Sequence, residues 1–94
     1  KNITVSKGVL NGKAKRLVMP KYPPAARAMG LQGQVTIQVV INENGKVISA
    51  SSVKGHKLLT SSALRAARAS SFTPTFLGDQ KVKVRGMIVY NFAK

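Results

Sequence analysis

Residues 34–47 read QVTIQVVINENGKV, and this stretch decides the fold. Val35, Ile37, Val39 and Ile41 alternate with Thr36, Gln38, Val40 and Asn42, the two-residue period of a strand with one buried face. The first set is expected to face the core. Glu43-Asn44-Gly45 follows as a hairpin, because Asn and Gly tolerate positive φ. The chain from Lys46 to Val53 returns as the partner strand. Its period is imperfect: Val47 and Val53 share one parity, while Ile48 and Ala50 take the other. Two loop lengths fit, and they put opposite residues inside. The register stays open, and a bulge is compatible with it.

Working outward, Tyr22-Pro23-Pro24 starts a short helix over about 24–29. Pro suits the first helical turn because its missing N–H has no partner there anyway. Ala25, Ala26, Arg27, Ala28 and Met29 propagate it, and Gly30 ends it as a C-cap. Beyond the hairpin, Gly55-His56-Lys57 is a connection and residues 58–70 read as a helix. Leu59, Ala63, Ala66, Ala67 and Ser70 form its core stripe, with Leu58 and Leu64 at the margins. Small residues there let a helix sit close to a sheet. Phe72, Pro74, Phe76 and Leu77 are expected to fold back over the core edge, with Phe72 and Pro74 inside, before a turn at Gly78-Asp79. A long last strand covers about 82–92. Val82, Val84, Ile88, Tyr90 and Phe92 share its inner row with Gly86. Lys81, Lys83, Arg85, Met87, Val89 and Asn91 share the other.

The order helix, strand, strand, helix, strand predicts an α+β fold: a three-stranded antiparallel sheet with both helices packed on one face. It occupies 19–94. Residues 1–18 read as a basic N-terminal arm, extended or holding one short strand, with turns at Gly8 and Asn11-Gly12. Its sparse apolar content predicts a smaller share of the stability than any element from 22 onward.

The 94 residues fit one small domain, which buries only about 60–65% of the surface its unfolded chain exposes. The chain starts at Lys1 without an initiator Met. It shows no targeting signal and no apolar run near the roughly 18 residues a membrane span needs. It is expected to be a piece of a longer protein, with any membrane anchor outside it. The absence of cysteine removes disulfides and thiolate metal sites. Sixteen Lys and Arg against Glu43 and Asp79 give a net charge of +14, which suits an anionic partner or neighbourhood, or simple solubility.

Catalytic chemistry finds little to work with. His56 is the only histidine, so a metal site lacks ligands and none is expected. A Ser–His–carboxylate set would need His56 beside Glu43 or Asp79, and nothing in the sequence arranges that. The Gly8/Gly12 and Gly30/Gly33 pairs do not follow a strand-to-helix pattern that cradles phosphate. An enzyme is therefore not expected, and no cofactor is implied.

The stretch from Met19 to Phe92 resembles the TonB C-terminal family. Tyr22-Pro23 with Ala25, Ala26 and Arg27 is similar to the family's opening Tyr-Pro helix. Gly33-Gln34-Val35 resembles its entry into the first strand, and Glu43-Asn44-Gly45-Lys46-Val47 its acidic Gly hairpin. The residues from Ser51 to Gly55 resemble the segment before the second helix. Ala63, Leu64, Ala67, Arg68, Phe72 and Pro74 resemble its helix followed by an aromatic and x-Pro, and the residues from Val89 to Phe92 its closing strand. Each piece is weak alone; in this order and spacing they are specific. Ser71 departs from the pattern, where many members carry a larger residue, often Trp, and the basic arm is longer than the minimal module needs.

The resemblance implies a periplasmic, force-transmitting, peptide-binding domain of a protein anchored in the inner membrane of a Gram-negative bacterium. It implies partnership with the ExbB–ExbD proton-driven motor through the missing N-terminal region. It also implies capture of the Ton box of outer-membrane TonB-dependent receptors, with force passed to the plug, for uptake of siderophores, haem, metals or vitamin-type substrates. The last strand then has an open edge that accepts the peptide along Val84, Arg85, Gly86, Met87, Ile88, Val89, Tyr90 and Asn91. By position, Met19, Pro20, Lys21 and Tyr22 lie near that peptide, though Tyr22 and Pro23 also read as packing. Lys81, Lys83 and Arg85 serve as electrostatic steering, as protection of the edge, or as both. Gly86 marks a bulge or a close backbone approach. The alternative is a binder of anionic polymer: peptidoglycan, lipopolysaccharide or nucleic acid. Nucleic acid is not expected, because the chain has only five aromatics, most of them read as internal, whereas a single-strand binder displays stacking rings.

Overall fold

The structure, a computed structural model, describes residues 3–93. The first two residues of the expected arm and Lys94 of the expected domain lie outside the described residues. The 34–47 stretch forms the centre of the molecule. Strand β3 (Gly33–Ile41) buries Val35, Ile37, Val39 and Ile41 on one face, as the alternation predicts. Its hairpin partner is β4 (Val47–Lys54), running antiparallel. The turn closes through Asn42 N–H to the Lys46 carbonyl at 2.8 Å and Gly45 N–H to the Asn42 carbonyl at 3.0 Å. The Asn42 side-chain oxygen accepts from the N–H groups of Asn44 and Lys46.

Gly45 sits at φ +84°, the left-handed region that a Cβ disfavours. A bulge settles the open register. Val40 faces Ser49 while Ile41 faces Val47, which leaves Ile48 as the extra, exposed residue. Val47 and Ala50 thus both pack on the core despite their opposite parity.

The element order contains more strands than the sequence reading foresaw. After β1 (Thr4–Val9), a 3-10 turn (Asn11–Lys13) and β2 (Ala14–Arg16) comes α1 (Pro24–Ala28). Then β3, β4 and α2 (Lys57–Ala69) are followed by β5 (Ser71–Phe72), β6 (Thr75–Leu77) and β7 (Gln80–Phe92). The class is α+β as expected, but the main sheet runs β1-β7-β3-β4. It is mixed, because β1 lies parallel to β7. β6 forms a hairpin with the start of β7, and β2 pairs with β5 in a small second sheet. These extra strands are short, and β1 and β2 pair only with distant segments, so no local period announces them.

Helix α2 lies across β4 and β3 on the core face. The His56 imidazole Nδ1 caps its first turn by accepting from Leu58 N–H at 3.1 Å. Leu59, Ser62, Ala63, Ala66 and Ala67 are its buried stripe. Ser62 was not in the expected set; its hydroxyl donates to the Lys21 carbonyl, which removes the penalty of burying it. Ser70 is buried just past the helix, where its hydroxyl donates to the Ala66 carbonyl and accepts from Val18 N–H. In α1, Ala26 is fully buried, and Gly30 at φ +68° ends the helix with Leu31 N–H returning to the Ala26 carbonyl. Phe72 is inside as expected and Pro74 is half-buried, but Phe76 and Leu77 are more than half exposed. They belong to the β6–β7 hairpin, which stands off the core.

Candidate functional site: the edge of the last strand

β7 alternates as read. Val82, Val84, Gly86, Ile88, Tyr90 and Phe92 are buried, while residues between them are exposed or half-buried. Its even-numbered residues pair with β3 over 84–92, in a register from Ile41 opposite Val84 to Gly33 opposite Phe92. Strand alternation sends the odd-numbered main-chain groups to the opposite side. There Lys83 N–H donates to the Ile3 carbonyl at 3.2 Å, and the Met87 carbonyl accepts from Leu10 N–H at 2.7 Å.

The second side of β7 was expected to be open, and it is not. β1 runs along it in parallel, with Thr4 opposite Lys83, Val5 opposite Val84, Ser6 opposite Arg85 and Val9 opposite Met87. The ladder shifts between Ser6 and Val9. Beyond β1 the Asn11 side chain closes the row: its amide donates to the Val89 carbonyl at 2.7 Å and its oxygen accepts from Val89 N–H at 2.9 Å. Leu10 is only 2% exposed and joins the core cluster. It lies over Gly86, where a Cβ would stand 2.5 Å from Leu10 Cδ1. Gly86 therefore marks a close approach, made by a side chain of the arm. The physical reason the arm docks is that one aliphatic side chain completes the core and the unpaired strand edge finds partners.

The other predicted residues fall in four places. Lys83 and Arg85 share the sheet face opposite the helices with Thr4 and Ser6, and Lys81 lies in the β6–β7 hairpin opposite Phe76. Met19, Pro20 and Lys21 do not line the β7 edge; with Val18 they border a cavity of about 200 Å³ against Ser62, Arg65 and Ala66 of α2. Tyr22 packs, with its ring edge-on to Phe92 at 5.6 Å, its hydroxyl donating to the Leu31 carbonyl, and the Arg27 guanidinium over its face at 4.7 Å. Tyr22 thus meets the end of β7 from the core side. The Tyr90 hydroxyl donates to the Val18 carbonyl at 2.8 Å. Burial pushes its pKa above the ordinary tyrosine value, and a hydrogen bond with Ser70 partly opposes this.

Among the described residues no three His, Asp or Glu side chains come together as a metal site. No described helix is long and apolar enough to cross a membrane.

Residues 18–93 match the family model described as the C-terminal domain of the Gram-negative bacterial TonB protein. The chain belongs to the TonB C-terminal family. Proteins TonB from two strains of Xanthomonas campestris pv. campestris are each 37% identical to it over 82 residues, 85% of this chain. The chain spans about 37% of the length of those relatives. The solution structure of the Pseudomonas aeruginosa TonB C-terminal domain superposes with a TM-score of 0.69 at 20% identity, covering 94% of this chain and 93% of that one. That likeness fixes the fold. The TonB family match begins at residue 18, so β1, Leu10 and Asn11 lie outside it.

Sequence reasoning missed Leu10 and Asn11 as partners of β7. The one signal was Gly86, the sole glycine in a strand of otherwise bulky inner residues. It pointed to a close approach but could not name what approaches.

Proposed function

We propose that this domain captures the Ton box of outer-membrane TonB-dependent receptors by strand addition along the outer side of β7. The observation that carries the reading is the contrast between module and arm. Within the family's span, residues 18–93, the odd-numbered main-chain groups of β7 from 83 to 89 have no strand beside them. A segment from outside that span fills the row as a parallel strand. An edge that takes one extended segment through its backbone can take another of similar chemistry. Lys81, Lys83 and Arg85 beside that edge favour a peptide with acidic residues and speed its encounter.

By this reading the whole protein is an energy transducer. An inner-membrane anchor outside this chain meets ExbB and ExbD, the domain works in the periplasm, and a pull on the captured peptide reaches the receptor plug. Siderophores, haem, metals or vitamin-type molecules are the cargo. The domain is a binding module rather than an enzyme. An anionic-polymer role gains no support from the aromatics: Phe72, Tyr90 and Phe92 are buried and Tyr22 is packed, which leaves Phe76 as the one strongly exposed ring among the described residues.

The test is an amide chemical-shift titration with a synthetic Ton box peptide. Perturbations concentrated on 83–91 are expected. Val89→Pro, which removes an N–H on the outer side, should reduce capture sharply while β3–β7 pairing persists. Ile88→Pro should instead unfold the sheet. Perturbations confined to α1, or to the outer strand β4, would overturn strand addition at β7.

A further inference from the structure

We propose that residues 4–11 are a resident stand-in for the captured peptide: they hold the β7 edge shut, and an incoming strand must replace them. The inference rests on the strand-addition reading above and adds to it a regulator and a selectivity rule. Three observations carry it. β1 lies along the side of β7 that a peptide would need, and the residues flanking it, Ile3 and Leu10, take the main-chain groups of Lys83 and Met87. Asn11 occupies both main-chain groups of Val89 with one side-chain amide, so the row is closed past the end of β1. Leu10 fills a notch that exists only because residue 86 has no side chain.

The attachment is also built to be reversible. β1 is six residues long, its ladder shifts between Ser6 and Val9, and Val9 is more than half exposed. Leu10 is the one buried residue of the described arm before β2. Departure of the arm alone would uncover the Gly86 notch to water, so opening without a replacement is disfavoured. A strand that carries its own large aliphatic side chain over Gly86 restores the core as it displaces Leu10. The edge therefore selects an extended peptide running parallel to β7, with an aliphatic residue at the notch. Affinity for such a peptide falls by the fraction of time the arm spends undocked.

The probe is a synthetic copy of residues 3–11, added in trans to the full chain and followed by amide shifts on 83–89. The chain has no cysteine, so Ser6→Cys with Arg85→Cys gives one defined tether between facing, exposed positions. The reduced tethered chain should take up the copy, and the oxidised form should bind at least about tenfold more weakly. A Leu10→Ala chain should bind the copy at least about tenfold more tightly than the parent does. A copy carrying Leu10→Ser should lose that gain. Equal uptake by the oxidised and reduced forms overturns the proposal, as does failure of the reduced form to bind, and this arm of the test leaves Leu10 intact. Equal uptake of the two copies overturns the notch. A Ton box peptide seen on 83–91 in both oxidised and reduced chains would sink the resident strand but leave the proposed function standing. The same peptide found only on β4, with the copy on β7, would sink the proposed function and the stand-in role with it, and would leave only a reversibly docked arm.

Discussion

Leu10 and Gly86 should behave as one energetic unit although 76 positions separate them. Leu10→Ala removes most of a side chain that is 2% exposed in the core cluster. Large-to-small changes of this kind cost about 2–5 kcal/mol. We expect about 2–3, because the arm is a terminal segment that can relax. Gly86→Ala alone adds a Cβ 2.5 Å from Leu10 Cδ1, 2.6 Å from Leu10 Cγ and 2.9 Å from the Gly8 carbonyl oxygen. Overpacking of this sort costs about 1–3 kcal/mol, offset by the roughly 0.5–1 kcal/mol that Gly→Ala regains in a strand. In the double variant the new methyl enters the space Leu10 vacates. The pair should then be less damaging than the sum of the singles by about 1–2 kcal/mol. Urea unfolding of the four chains measures the cycle. Heating offers a second readout, at about 4–8 °C of Tm per kcal/mol for a domain of this size. Additivity within about 0.5 kcal/mol, or a Leu10→Ala effect below that, would mean the arm does not dock in solution, and the argument for its docking would fail.

Three further outcomes are expected. Gly45→Ala should destabilise by more than about 3 kcal/mol. It places a Cβ at φ +84°, worth about 1–2 kcal/mol, and drives it into the Phe72 carbonyl; Gly12→Ala, where space is open, should stay within about 0.5 kcal/mol. Tyr90 keeps its proton more tightly when folded than unfolded, because burial raises its pKa. Its contribution is therefore fully present below the unfolded value near 10 and lost as pH rises through the folded value. Chemical denaturation at rising alkaline pH should show that loss, and Tyr90→Phe should flatten it while forfeiting the bond to the Val18 carbonyl. Replacing Lys81, Lys83 and Arg85 with Gln should slow association with an acidic Ton box peptide more than it speeds release, and added salt should slow the parent in the same way. An on-rate indifferent to both would leave solubility as the role of these charges.

Much of this protein was determined by local sequence alone. The alternation from Val35 to Ile41 and from Val82 to Phe92 set which face of each strand is buried, because successive side chains of a strand point to opposite sides. Pro24 and Gly30 marked the ends of α1 through their own backbone limits. The spacing of Leu59, Ala63, Ala66 and Ala67 set the inner face of α2. None of these needs a distant partner to be read.

What only the tertiary structure decided is everything that depends on which backbone lies beside which. The parity of β4 was ambiguous until the bulge at Ile48 let Val47 and Ala50 share one face. Phe76 and Leu77 looked like core by composition, yet the β6–β7 hairpin carries them into solvent. The edge of β7 was legible as a strand but not as an occupied one. Hydrogen bonds between strands carry no residue identity, so β1 left no period or motif pointing to β7. The notch at Gly86 becomes meaningful only when Leu10 arrives from the far end of the chain, where a contact of long sequence separation replaces local pattern.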